Sequence, residues 1–174
     1  ALPISKDRDV IKVKFKSARL YYIHNHFEEA AERFGELIER WPNDRLARIG
    51  AESIVESFNI REDWSQLNKW SRTFSKNRSL MADASFAKTI RAFVEGASFK
   101  EIHHVFEKSK SAVEVAAAYA GFAKEFPKSR YVLVALFNSG VQYDKAKDIP
   151  AAMEAFKGLL YDYKSFGEKQ AKKV

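Results

Sequence analysis

A helical phrase that stops at proline and then restarts constrains this chain more than any other feature. Over residues 28–41, Ala30, Phe34, Leu37, Ile38 and Trp41 recur at steps of three and four, so they fall on one stripe of an amphipathic helix. Pro42 follows at once, and the residue before a proline is steered out of helical geometry. Asn43 and Asp44 then offer side-chain acceptors for the free N–H groups of a new helix. The phrase returns over residues 112–127, where Val115, Tyr119, Phe122, Ala123 and Phe126 form the stripe and Pro127 ends it. Lys128 and Ser129 lead into a further helix expected over Arg130–Lys145. Another copy occupies residues 150–163, with Ala152, Phe156, Leu159, Leu160 and Tyr163 on its stripe and Pro150 near its start, where proline is tolerated. A weaker copy spans Asp63–Phe74, through Trp64, Leu67, Trp70 and Phe74. No longer segment alternates with period two, and the fold class read from the pattern is all-α.

The copies are regularly spaced. From Ala30 to Leu67 is 37 residues, from Leu67 to Val115 is 48, and from Val115 to Ala152 is again 37. Two equal periods flank one interval with eleven extra residues, about three helical turns. The excess is expected to lengthen the first helix of the third unit, roughly Leu80 to Ser109 with a bend near Gly96; a short extra helix after Gly96 is the alternative. Each unit reads as two antiparallel helices. One such hairpin cannot bury its apolar face alone, whereas stacked neighbours bury each other's. The expected organisation is one domain over residues 1–174, with units near 10–42, 44–76, 79–127 and 129–164 and a tail over 165–174 that frays or begins another helix.

Composition limits the chemistry. The absence of cysteine excludes disulfides, cysteine-ligated zinc, iron–sulfur clusters and thiol catalysis. No apolar run reaches the ~18 residues that a membrane span needs. The start lacks the apolar core of a signal peptide. It also lacks an initiator Met, which points to a processed product or an excised piece. The formal net charge of +7 can favour nucleic acid, anionic membrane or an acidic partner. The excess is thinly spread except at Lys69, Arg72, Lys76, Arg78, Lys88 and Arg91, interrupted only by Asp83. Such a run is either a solvated face or a docking patch.

Catalytic constellations are scarce. On a helix, His24 and His26 would point about 200° apart, so joint metal binding there requires a non-helical turn. Adjacent His103 and His104 would diverge by about 100°, and no carboxylate–histidine spacing marks a zinc site. Glu52 and Glu56 share a helix face, as acid–base chemistry could use, but a polar groove lining needs the same spacing. No phosphate-binding loop, nucleophile elbow or zinc-protease motif is present. No catalytic residue, metal or cofactor is expected.

These residues resemble the tetratricopeptide repeat family, whose signature is W-x2-L-G-x2-Y, then A-x3-F, then P. The first unit carries Ala18, Tyr21, Phe27, Ala30, Phe34 and Pro42 at the matching positions. The last carries Gly140, Tyr143, Ala152 and Phe156, with Leu136 in the tryptophan slot and Lys164 where proline is usual. The third keeps Tyr119 and Pro127. The second diverges most, with Ser71 where a large aromatic is expected. The resemblance implies a right-handed solenoid of about four hairpins over residues 10–164, non-catalytic, binding a protein segment in a concave groove lined by the first helix of each pair. Carried through the repeat, the lining is Lys12, Phe15, Arg19 and Tyr22, then Glu52, Glu56 and Asn59, then Phe137, Val141 and Asp144. Phe15 and Phe137 could instead be core. The family's carboxylate clamp wants Lys and Asn where this chain has Phe15 and Arg19, which argues against a receptor for chaperone tails. Phrases such as Lys124–Ser129 and Ala135–Tyr143 are similar to repeat scaffolds of bacterial envelope and gliding-motility assemblies, which implies a periplasmic or outer-membrane-associated setting, with the cytoplasm as the alternative. Nucleic acid or another polyanion, held by the basic stretch and by Lys169, Lys172 and Lys173, is the runner-up partner class.

Overall fold

The computed structural model describes the backbone of residues 4–171 and the side chains of residues 8–160. Its helices are α1 (Ile4–Ile23), α2 (Phe27–Arg40), α3 (Arg45–Ile60), α4 (Trp64–Ser75), α5 (Arg78–Met81), α6 (Ala84–Glu101), α7 (Glu107–Ser109), α8 (Ala112–Glu125), α9 (Val132–Lys145) and α10 (Ile149–Ala171). No strand occurs among the described residues, and the fold is all-α. The chain divides between Val94 and Glu95, inside α6, into two compact units.

The repeat is written into the turns. Three-residue connections join α1 to α2, α3 to α4 and α9 to α10, so each pair runs antiparallel. The middle residue of each, Asn25, Glu62 or Lys147, has φ of 63°, 56° or 63°. That left-handed residue ends the preceding helix and lets the next N–H reach back to an orphan carbonyl. The bonds are His26 N to Tyr21 O at 2.9 Å, Asp63 N to Phe58 O at 3.0 Å and Asp148 N to Tyr143 O at 3.0 Å. The proline turns match as well. Trp41 and Phe126, each before its proline, have φ/ψ of −133°/60° and −122°/63°. Asp44 Oδ1 then accepts from Leu46 N at 2.7 Å, and Ser129 Oγ from Tyr131 N at 3.0 Å, so each turn primes the helix after it.

The lengthened helix of the third unit begins at Ala84, not Leu80. Two caps cause the difference. Asn77 Oδ1 accepts from Ser79 N and Leu80 N and closes the single turn α5, while Asp83 Oδ1 accepts from Phe86 N at 2.9 Å and starts α6. The irregularity lies at Ile102–Phe106, a π-helical turn between α6 and α7, not at Gly96. Extended Lys110 and a capping box between Ser111 and Glu114 then start α8, in place of the left-handed turn used elsewhere. At the other end, helix α9 starts at Val132 rather than Arg130, and α10 runs on through Ser165, where the tail was expected to begin.

In the first unit, the buried positions include Ala18, Ala30, Phe34, Leu37, Ala47, Ile54, Phe58, Leu67 and Phe74. A Cβ on Gly50 would lie 2.9 Å from the Phe34 ring, so Phe34 fills the space between successive hairpins against a residue that must stay small. Ser71, one period after Phe34, is fully buried, and among the described residues its Oγ has no hydrogen-bond partner. The aromatic bulk missing there is supplied by neighbours: Trp70 and Phe74 pack at 5.6 Å, and Phe74 meets Phe86 at 6.4 Å.

In the second unit, Phe99, Ile102, Val115, Tyr119, Phe122, Ala123 and Ala135 form one buried cluster. Phe99 stacks on Tyr131 at 4.6 Å. The Tyr119 hydroxyl donates to Glu107 Oε1 at 2.7 Å and lies 3.1 Å from His103 Nδ1. A phenol has one proton, so His103 Nδ1 is the donor to the phenol oxygen. Burial, reinforced by the bond to Glu107, pushes the Tyr119 hydroxyl well above the ordinary phenol range. These bonds tie the π-turn to α8. On α10, Ala152 is buried and Phe156 and Leu159 are half-buried, but Leu160 is 62% exposed and leaves the expected stripe. Tyr163 lies outside the described side chains.

Candidate functional site

Helices α1, α3 and α6, the first members of successive pairs, supply the candidate site in the first unit. A cleft of about 420 Å³ opens between α3 and α6. Glu52, Val55, Glu56 and Asn59 line it from α3, and Ser85, Phe86, Thr89 and Phe93 from α6. Val55 and Phe86 are buried and form an apolar floor; Phe93 and Asn59 are half-buried; the two carboxylates stand exposed above them.

Helix spacing explains the division. Glu52, Glu56 and Asn59 sit at i, i+4 and i+7, so they share a face adjoining the buried Ala51–Val55–Phe58 stripe. Arg48 approaches Glu52 at 3.9 Å and also pairs closely with Asp83 ahead of α6. Phe86 N–H, and the Arg48 charge with it, holds the Asp83 carboxyl below the usual range. Asp83 thus ties the start of α6 to α3 at the end of the cleft. Glu56 has no ion-pair partner among the described residues. Its charge is felt by Tyr22 on α1, whose hydroxyl is raised by burial and then by Glu56. Tyr22 is half-buried against Phe27, ring to ring at 5.6 Å.

The sequence-based lining residues are therefore placed as follows. Glu52, Glu56 and Asn59 come together in one cleft, and Tyr22 adjoins it electrostatically. Lys12 is exposed and lies 3.7 Å from Asp9, and Arg19 is exposed. Phe15 is half-buried with its ring 5.5 Å from Phe34, so it shares in the core. In the second unit, Phe137, Val141 and Asp144 form an i, i+4, i+7 stripe on α9; Phe137 is 51% exposed, with its ring 6.2 Å from Phe156. Ser85, Phe86, Thr89 and Phe93 were missed by sequence reasoning. A signal existed: one 37-residue step forward from Glu52 and Glu56 lands on Thr89 and Phe93. The eleven extra residues hid it, since they left the register of the third unit's first helix unassigned and no lining was carried into that unit.

The basic residues fall on two helix faces. Lys69, Arg72 and Lys76 share one face of α4 at i, i+3 and i+7, while Lys88 and Arg91 share one of α6, with Arg78 on α5 between them in sequence. Arg72 Nε donates to Asn68 at 3.0 Å; the other five are exposed. Lys169, Lys172 and Lys173 lie outside the described side chains. His24 and His26 occupy the turn after α1 rather than a helix, and the His26 ring packs edge-on against Tyr21 at 6.2 Å. Among the described residues, no group of three or more His, Asp or Glu side chains could hold a metal ion. No described helix is long and apolar enough to cross a membrane.

No curated protein and no solved structure matches this chain. A protein-family model described as tetratricopeptide repeat matches residues 134–165. Those residues hold most of α9, the turn at Lys147 and the start of α10, where the Gly140–Phe156 contact lies, so the match supports a tetratricopeptide repeat at this hairpin.

Proposed function

We propose that this protein is a non-catalytic interaction scaffold that holds a segment of a protein partner on the face formed by α1, α3 and α6. The cleft between α3 and α6 carries this reading: a buried apolar floor at Val55 and Phe86 lies beneath carboxylates only weakly paired within the chain. Aromatic and aliphatic floors supply buried area, while charges at the edge supply register and orientation. Glu52 and Glu56 select a segment with a basic residue flanked by apolar ones, and Phe137, Val141 and Asp144 on α9 offer a second stripe of mixed character. The envelope or motility setting rests on the resemblance of the short phrases alone. Immobilised protein, wild type and Glu52→Lys/Glu56→Lys, tests the reading against fractionated extract of the source organism. A protein retained by wild type and lost by the variant, with an unchanged thermal melt, supports it and reports the compartment; retention by both removes it.

A polyanion partner is the second reading. Lys69, Lys76, Arg78, Lys88 and Arg91 are exposed, and none has an ion-pair partner among the described residues. Binding of nucleic acid there would weaken steeply with salt, whereas binding in the cleft, with its apolar floor and only two carboxylates, would weaken far less.

A further inference from the structure

A second cleft lies between α2 and α4, the second helices of the first two pairs, with a volume of about 620 Å³. Its floor is apolar: Ile38 and Phe74 are buried, and the half-buried Trp70 ring rests on Gly35, where a Cβ would come within 2.9 Å of the ring edge. Its rim is acidic. Glu32, Glu36 and Glu39, at i, i+4 and i+7, line one wall over about 10 Å of helix. The side chains lining the cleft include no basic one, although the chain as a whole carries +7; the nearest cation to its indole is Lys69, whose Nζ lies 5.9 Å from the centre of the Trp70 ring and which a docked guanidinium would displace. The arginines of α2 are engaged elsewhere: Arg33 donates to the Tyr21 hydroxyl at 3.0 Å, and the Arg40 guanidinium lies 4.7 Å over the Trp41 ring. Lys14 approaches Glu36 at 3.4 Å; Glu32 and Glu39 have no ion-pair partner among the described residues.

We propose that the α2–α4 cleft docks a basic segment of a protein partner, with arginine or lysine stems on Trp70 and their charged heads on Glu32, Glu36 and Glu39. Charge complementarity selects this occupant. An apolar helix would bury the carboxylates without compensation, and an acidic segment would be repelled. A guanidinium has both the flat face that stacks on an indole and the fork that matches a carboxylate. At about 3.3 Å per residue, an extended segment with two or three basic residues among four spans the carboxylate row. This site is independent of the α3–α6 cleft.

Acetyl-tetra-arginine amide, titrated into the whole chain and followed by ¹H–¹⁵N NMR, tests the proposal. Saturable shifts centred on the Gly35 amide and the Trp70 indole are expected, with none from tetra-glutamine or tetra-glutamate. Glu32→Gln/Glu36→Gln/Glu39→Gln should weaken binding at least about tenfold, and Thr73→Lys, which places a cation at the rim, should block it while leaving the acidic row intact. Glu154→Gln, which neutralises an exposed carboxylate on α10 outside both clefts, should leave the Gly35 and Trp70 shifts unchanged. Shifts no larger at Gly35 and Trp70 than at other acidic surfaces, binding that survives both rim variants, or loss of those shifts in Glu154→Gln would overturn it.

Discussion

Replacing Gly140 with alanine sets two opposed effects against each other. Alanine is favoured over glycine in a helix interior by about 1 kcal/mol. The new Cβ, however, would stand 2.5, 2.7 and 2.8 Å from three ring atoms of Phe156. Carbon atoms pack at about 3.5–4.0 Å, so the ring must retreat by about 1 Å. Overpacking of this kind costs about 1–3 kcal/mol, and the half-buried ring can yield in part, so Gly140→Ala should lose about 1 kcal/mol net. With Phe156→Ala in place the obstacle is gone and only propensity remains. Gly140→Ala should then gain up to about 1 kcal/mol, giving a coupling of about 2 kcal/mol, as expected for residues in contact. Urea unfolding of the four proteins, followed by circular dichroism at constant m, measures the cycle. Gly140→Ala stabilising by the same amount in both backgrounds would refute the close approach of α9 and α10, and with it the repeat register.

Three further outcomes follow from the same geometry. Ser71→Ala should raise stability by about 1 kcal/mol, because it removes a desolvated hydroxyl without a partner; a shift in the urea midpoint measures it. Glu62→Gly should gain about 0.5–1 kcal/mol, since a left-handed non-glycine residue costs about 1–2 kcal/mol and glycine's extra unfolded-state entropy returns only part of that; a thermal melt suffices. Three carboxyls are held below their usual range: Glu28 chiefly by its hydrogen bond from Arg61, Asp83 by the N–H of Phe86, and Glu114 by the N–H of Ser111. Depressed folded values mean that the unfolded chain binds more protons in acid, so the stability they add is complete above about pH 5 and is lost as pH falls through the folded values. The urea midpoint should therefore be flat from pH 7 to about 5.5 and decline below about 4.5.

What could be read from the sequence was what short-range chemistry decides. Pro42 and Pro127 stop the helices that precede them, Asp44 caps the next helix through its side chain and Ser129 holds the turn before α9, so the hairpins and their spacing were visible before any packing was known. The left-handed turns at Glu62 and Lys147 were not, because neither residue prefers that conformation; the paired helices impose it. The π-turn at Ile102–Phe106 leaves the apolar spacing of Ile102, Val105 and Phe106 unchanged, and its ties to Tyr119 come from another helix. The α3 half of the candidate cleft followed from the repeat, whereas its α6 half depended on where the eleven extra residues enter. Trp70 looked like one more stripe residue, and only its seat on Gly35 shows that it lines a second cleft.

The central claim, that the α1–α3–α6 face holds a protein segment, is tested most directly by a photo-crosslinking amino acid placed at Thr89 in the whole chain, expressed in the source organism, with Lys76 as the comparison. The account predicts a discrete protein adduct through Thr89 and none through Lys76. No protein adduct at Thr89, or nucleic acid captured through Lys76, would contradict it.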